Sequence, residues 1–206
     1  MKKNKILATD FYEFQCPEDL FNLVLAEIPT LQFNKDPSNY STGYYYNAEL
    51  FSWFNECLDV VAKDLLAENL KFEISNCWLN KAYKSQKTPL HLHPQSILSS
   101  VMYFADSESG RTIFKSLNPW YKVQFENFLH LTNDRRKLFN TDEIKPQAGK
   151  LVLFPSTVFH EVSVYTGNDP RYTLSFNAFV TGEFHDPKHN AVTDYLNIKT
   201  LFPYNK

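Results

Sequence analysis

Phe154-Pro155-Ser156-Thr157-Val158-Phe159-His160 and, on the run that follows, Arg171-Tyr172-Thr173-Leu174-Ser175-Phe176-Asn177 decide the reading of this chain once they are set beside the upstream His91-Leu92-His93-Pro94. Two imidazoles spaced i, i+2 in an extended segment project to one side, and a distant third can complete one face of a metal's coordination sphere. Taken alone, His91 and His93 read equally well as partly buried, hydrogen-bonded residues. His160, in a strand that follows a glycine turn, and Arg171, eleven residues later on the next strand, tip the balance. A metal site with an anion-gripping arginine beside it accounts for all of them at once.

Working outward, the chain beyond Lys71 breaks into short β-rich runs divided by turn residues: 72–79, 90–93, 97–105, 112–115, 151–154, 159–165 and 172–181. That is the rhythm of an antiparallel jelly roll. Gly149 precedes one run, where a residue free to take positive φ makes a tight entry turn, and Gly167-Asn168-Asp169-Pro170 separates the last two. Residues 117–145 are polar and mixed, and are expected to form a long connection with one short helix that could cover the site mouth.

On the N-terminal side, residues 6–14 read as an opening strand and 17–28 as a helix begun by Pro17. Leu50, Phe51, Phe54, Leu58, Val61, Leu65 and Leu66 recur at three- and four-residue steps, predicting a helix over 47–70 that lies on a larger core. The expected class is mainly β with flanking helices (α+β): helical support over about 17–70, a β core over about 71–181 and a tail over 182–206. With 206 residues and no linker-like tract, the chain reads as one domain, 1–206.

Composition excludes several functions. A net charge of −2 lacks the basic balance that nonspecific nucleic-acid or membrane binding requires. Apolar residues make up 43% and aromatic residues 16%, enough for a folded core and a ring-lined cleft. Cys16, Cys57 and Cys77 show no Cys-x-x-Cys spacing, so they read as buried thiols of a cytosolic protein rather than as disulfides or zinc ligands. The basic N-terminus runs into Asp10 and Glu13 before a signal core could form, and no segment is long enough to span a bilayer, so a cytoplasmic location is expected.

These stretches carry a resemblance. Trp78-Leu79-Asn80, His91 to Pro94 with Ser96 and Leu98-Ser99, Tyr103, Gly149 to Ser156 with His160, and Arg171 to Asn177 are similar to the 2-oxoglutarate- and Fe(II)-dependent oxygenases, in particular a subfamily common in marine bacteria and their phages. The resemblance spans roughly residues 6–181. It implies a double-stranded β-helix of cupin-like jelly-roll form, N-terminal helices packed on its outside, and Fe(II) held near one mouth of the barrel by a facial triad. His91 and His160 take the two histidine positions. The family's usual third ligand is a carboxylate two residues after the first histidine, and here that place belongs to His93, which raises the charge of the complex by one. A second-shell His93, or an approach by the Gln95 carbonyl oxygen, is the alternative.

The same resemblance implies a hydroxylase in which 2-oxoglutarate and dioxygen meet at Fe(II) and oxidative decarboxylation yields succinate and carbon dioxide. Arg171 suits the far carboxylate of 2-oxoglutarate, because its planar fork makes a two-point pair. Thr173 and Ser175 continue its strand face, and Tyr103, Ser99 and Asn80 are further candidates for the cosubstrate pocket. The rivals are a cupin-type metal module without turnover and a three-histidine dioxygenase that does not use 2-oxoglutarate. Loops and pocket walls select the primary substrate, so a protein side chain and a small metabolite both fit, as does a homodimer through an exposed edge strand.

The other conspicuous residues take plainer readings. His130, His185 and His189 read as solvated side chains, and Asp142 and Asp194 have no spacing that ties them to a metal. Trp53, Trp78 and Trp120 read as core anchors, with Trp120-Tyr121 placed where substrate could meet them.

Overall fold

Two strands, Lys2–Ile6 (β1) and Thr9–Gln15 (β2), pair antiparallel, so the opening run is a hairpin and not the single strand expected over 6–14. The computed structural model describes residues 1–6, 9–117, 139–182, 185–186 and 191–192. Pro17 stands just before α1 (Glu18–Glu27), where its missing N–H is no loss, and Glu18 and Asp19 complement the positive end of the helix dipole. A 3-10 turn, Ile28–Thr30, and two short strands, β3 (Asn34–Lys35) and β4 (Tyr40–Ser41), follow; neither strand was legible in the hydrophobic pattern.

The second helix, α2 (Ala48–Leu65), is capped by Asn47, whose side-chain oxygen accepts from the Leu50 N–H at 3.0 Å. Asn47 also donates to Glu27, as does Tyr45 through its hydroxyl, which ties the two helices together. Leu50, Phe54, Leu58 and Val61 are buried as the stripe requires. The helix stops at Leu65, short of the expected 70, because Leu70 already opens the next strand; Leu65 itself is 47% exposed.

The β core consists of β5 (Leu70–Ala82), β6 (Thr88–His91), β7 (Leu98–Tyr103), β8 (Thr112–Leu117), β9 (Phe139–Ile144), β10 (Lys150–Pro155), β11 (Phe159–Val162) and β12 (Arg171–Gly182). They form two antiparallel sheets, a larger one in the order β1-β2-β10-β7-β12-β5-β4-β3 and a smaller one in the order β6-β11-β8-β9. This is the jelly-roll arrangement the spacing predicted. Strand β9 is a correction: it lies inside the expected connection 117–145 and pairs along the whole of β8. The helix expected there, His130, Trp120 and Tyr121, and also His189 and Asp194, lie outside the described residues. The tail contributes a two-stranded ribbon, β13 (His185–Asp186) with β14 (Ala191–Val192).

Two apolar layers result. One lies between the helices and the larger sheet, with Leu50, Phe54, Leu58 and Val61 set against Cys77, Leu79, Met102, Leu151, Leu153, Leu174 and Phe176. The other fills the space between the sheets with Phe11, Val101, Tyr103, Phe114, Val152 and Phe154. Strand β10 serves both, which is why its run reads as continuously apolar rather than alternating. On β5 a bulge at Ser75 interrupts the register between Asn76 and Ile74. Phe72 precedes it and Cys77 and Leu79 follow it, all on the helix side, so the extra residue lets the strand keep one apolar face while Trp78 and Asn80 turn to the interior. The Ser75 hydroxyl donates to the Asn177 carbonyl across the bulge.

Phe54 is fully buried with its ring centroid 4.6 Å from that of Phe176. Phe54→Ala should lower stability by about 3–5 kcal/mol, read as a fall in the urea midpoint. A change under about 1 kcal/mol would mean that helix α2 does not anchor the sheet.

Candidate active site

The smaller sheet brings two of the three histidines together by register, since His91, the last residue of β6, sits directly opposite His160 of β11. The chain leaves the strand after His91, and the His93 N–H donates instead to the Ser156 carbonyl at 2.9 Å. The i, i+2 relation is therefore not that of one continuous strand, yet His93 still turns inward. Among the described residues, one nitrogen from each of His91, His93 and His160 lies within 4.8 Å of the others. The Nε2 atoms of His93 and His160 are 3.3 Å apart. Two nitrogens on adjacent positions of a metal at about 2.1 Å would sit about 3.0 Å from one another.

Backbone carbonyls orient two of the rings. His91 Nδ1–H donates to the Pro89 carbonyl at 2.9 Å and His160 Nδ1–H to the Val158 carbonyl at 3.0 Å, which leaves both Nε2 lone pairs facing the centre. Phe154 and Phe114 wall the His160 ring on the apolar side. Burial, and then the neighbouring imidazole of His91, pushes His93 down to about 4 and His160 down to about 3. Both rings are thus neutral across the physiological range, the form in which imidazole binds a metal. Three imidazole nitrogens around one point suit Fe(II).

Beside the triad opens a pocket of about 100 Å3, lined on one wall by Trp78, Asn80, Thr173 and Ser175 and bounded by Arg171. One water takes about 10–15 Å3 on this measure, so the space suits a ligand on the order of ten non-hydrogen atoms. Arg171 is 8% exposed, and its Nε and Nη2 have no hydrogen-bond partner among the described residues. A buried guanidinium without a counter-charge is costly, and burial lowers its proton affinity. An anionic ligand would relieve both. Room for the Arg171 side chain is made by Gly110, at φ +65, where an added Cβ would come within 2.9 Å of Arg171 Cδ and Nε.

The sequence candidates separate on inspection. Asn80, Thr173 and Ser175 line the pocket. Tyr103 is buried behind it, sharing a 2.7 Å hydrogen bond with Thr112, and it is Thr112 that lines the pocket. Ser99 does not line it either; its hydroxyl bonds Ser156 and Asn177 behind His93. Trp78 is a pocket wall as well as a packing residue, its ring centroid 6.1 Å from that of His93. Sequence reasoning also missed Asn39, Thr88 and Thr112, which strand pairing alone brings to the pocket. Gln95 lines a second hollow on the other side of His93, with Asn76, Ser96 and Asn177.

Comparison with known proteins agrees with this geometry. Residues 76–177 match the family model described as "Putative 2OG-Fe(II) oxygenase". No protein of curated function matches the sequence. Among solved structures, HygX from Streptomyces hygroscopicus, crystallised with nickel, 2-oxoglutarate and hygromycin B, superposes with a TM-score of 0.61 at 12% identity, covering 93% of this chain and 95% of that one. A 2OG-Fe(II) oxygenase family oxidoreductase from Burkholderia pseudomallei gives 0.58 at 12% identity over 91% and 88%. A prolyl-4-hydroxylase from Pseudomonas putida gives 0.54 at 17% identity over 81% and 91%. At such identities the likeness is one of fold, the double-stranded β-helix.

The depressed proton affinities carry a sign. The unfolded chain takes up protons at the ordinary histidine value of 6.5, whereas folded His93 and His160 resist until about 4 and about 3. Their contribution to the metal-free chain is complete above 6.5 and is lost as pH falls toward those lower values. Urea midpoints of the metal-free protein should fall with pH through this window, and less steeply in a His93→Gln, His160→Gln variant. Equal slopes would contradict the buried, neutral state of the rings.

Proposed function

The chain belongs to the 2OG-Fe(II) oxygenase family and is a 2-oxoglutarate-dependent dioxygenase, and within that family we propose that it is a hydroxylase whose iron is held by His91, His93 and His160. The observation that carries this reading is Arg171, buried at the pocket with two nitrogens unpartnered among the described residues. A module that only held a metal would have no use for it, nor would a dioxygenase working without a dicarboxylate.

When bound, the iron and 2-oxoglutarate supply the oxidising chemistry, coupling decarboxylation of the cosubstrate to substrate oxidation. The chain's own residues bind and orient. Arg171 pairs with the far carboxylate of 2-oxoglutarate, and Thr173, two residues along the same strand, offers its hydroxyl to that group. Ser175 and Asn80 line the path toward the histidines, and Tyr103 keeps Thr112 in place from behind. Phe154 and Phe114 exclude water from the apolar side of the His160 ring.

The fold is shared with a prolyl-4-hydroxylase but also with an epimerase and a carbocyclase, so it admits hydroxylation without selecting it. The three cysteines are free and buried, which supports a reducing, cytoplasmic setting. Among the described residues no helix is long and apolar enough to cross a membrane.

Fe(II) followed by 2-oxoglutarate, added to metal-free protein under anaerobic conditions, should produce the visible charge-transfer band of a chelated ferrous complex. Bound iron without the band would remove 2-oxoglutarate from the account. Arg171→Ala should raise the 2-oxoglutarate concentration needed for that band about 10- to 100-fold while iron binding persists. Loss of iron binding in this variant would place Arg171 in the wrong role. His160→Ala should abolish iron binding measured by equilibrium dialysis, and wild-type affinity would refute the triad.

A further inference from the structure

Behind His93 lies a run of buried side-chain hydrogen bonds that the cosubstrate pocket does not use. Ser96 Oγ donates to Ser156 Oγ at 2.8 Å, Ser156 and Ser99 share a hydrogen bond of 2.8 Å, and Ser99 Oγ donates to Asn177 Oδ1 at 2.8 Å. Asn177 Nδ2 then faces His93 Nδ1 at 3.4 Å, and His93 Nε2 faces His160 Nε2 at 3.3 Å. All three serines and Asn177 are buried, and Ser96 and Asn177 border the second hollow.

The direction of the chain follows from its far end. His160 donates through Nδ1 to a backbone carbonyl, so its Nε2 is an acceptor. The proton between the two rings therefore sits on His93 Nε2, His93 Nδ1 accepts from the Asn177 amide, and each serine passes its proton toward Asn177. In this arrangement His93 carries its hydrogen on the nitrogen that faces the other two ligands. To bind a metal through Nε2, His93 must move the proton to Nδ1, which would then confront the Asn177 NH2 group, donor against donor.

We propose that Asn177 is the positioning residue of the third ligand, and that a half-turn of its amide, with reversal of the Ser99–Ser156–Ser96 hydroxyls, converts His93 into the ligating tautomer. This rests on the reading of His93 as a metal ligand. After the turn, His93 Nδ1–H donates to Asn177 Oδ1, Asn177 Nδ2 donates to Ser99, Ser99 to Ser156, and Ser156 to Ser96. Ser96 then donates to the His93 carbonyl oxygen, already 3.3 Å from its hydroxyl. Each link of the chain keeps one donor and one acceptor in both directions, so the reversal breaks none of these contacts. An amide suits this place because it presents a donor on one side and an acceptor on the other. A carboxylate would hold only the ligating direction, and an apolar side chain would hold neither.

The test uses the full chain with Co(II) and Zn(II) as probes. Nitrogen-15 spectra of labelled histidine should show His93 protonated at Nε2 in the metal-free protein and at Nδ1 in the Zn(II) form. Asn177→Leu should weaken Co(II) binding about 10- to 100-fold, the usual effect of removing a residue that orients a ligand. Asn177→Asp should bind Co(II) at least as tightly as the wild type and show His93 protonated at Nδ1 even without metal. Ser99→Ala, which disturbs the packing least, should cost about 2- to 10-fold. Wild-type Co(II) affinity in both Asn177→Leu and Ser99→Ala overturns the proposal, as does a metal-free wild type already protonated at Nδ1. Equal losses in the Leu and Asp variants would mark Asn177 as a packing residue and overturn it too. A wild-type chain that takes up neither metal would instead defeat the ligand reading on which the proposal stands.

Discussion

Strand β12 must satisfy two unlike environments along one backbone, and the rest of the molecule is arranged around that demand. Tyr172, Leu174, Phe176, Ala178 and Val180 turn toward the helices, while Arg171, Thr173 and Ser175 line the pocket and Asn177 meets His93. Period-two alternation makes this division automatic once the register is set, and a slip of one residue would bury the polar set under helix α2. The register is held on both sides, by β5 along the full length of β12 and by β7 at four positions. The bulge at Ser75 is the adjustment that lets β5 follow.

The polar face of β12 is then tolerable only because each group on it has an appointed partner or awaits one. Asn177 is held between Ser99 and His93, and Thr173 borders a space open to ligand. Two groups of the strand are unmatched among the described residues, Thr181 Oγ1 near its far end and, at the pocket, Arg171 through Nε and Nη2. A free energy of that kind is retained where it binds something, and here the pocket leads from the guanidinium to three imidazoles. The chemistry of the site is a consequence of what the sheet leaves unsatisfied.

The triad shows a comparable economy. His91 and His160 meet because β6 and β11 pair in the smaller sheet, whereas His93 arrives from beyond a strand end, held by the Ser156 carbonyl. Backbone carbonyls orient two of the rings, and a side-chain amide faces the third. An imidazole at that place, unlike a carboxylate, brings no negative charge and has two tautomers, and in the proposal made above the buried serines behind Asn177 select between them.

Much of this was readable in the chain itself. The stripe from Leu50 to Val61, the short β-rich runs and the glycine before Lys150 announced a helix-backed jelly roll, because side-chain periodicity and turn chemistry are local properties. His91, His93, His160, Arg171 and Thr173 were legible as chemistry for the same reason: their types and spacings are written in one dimension. What the sequence could not disclose was anything decided by register and packing. Asn39 and Thr112 reach the pocket only through strand pairing, Gly110 matters only because Arg171 passes over it, and Tyr103 and Ser99 lie on the right strand but serve other partners. The sequence by itself determined which residues could bind a metal and an anion; the tertiary structure decided which nitrogens and hydroxyls face one another, because those distances are set by contacts between segments far apart in the chain.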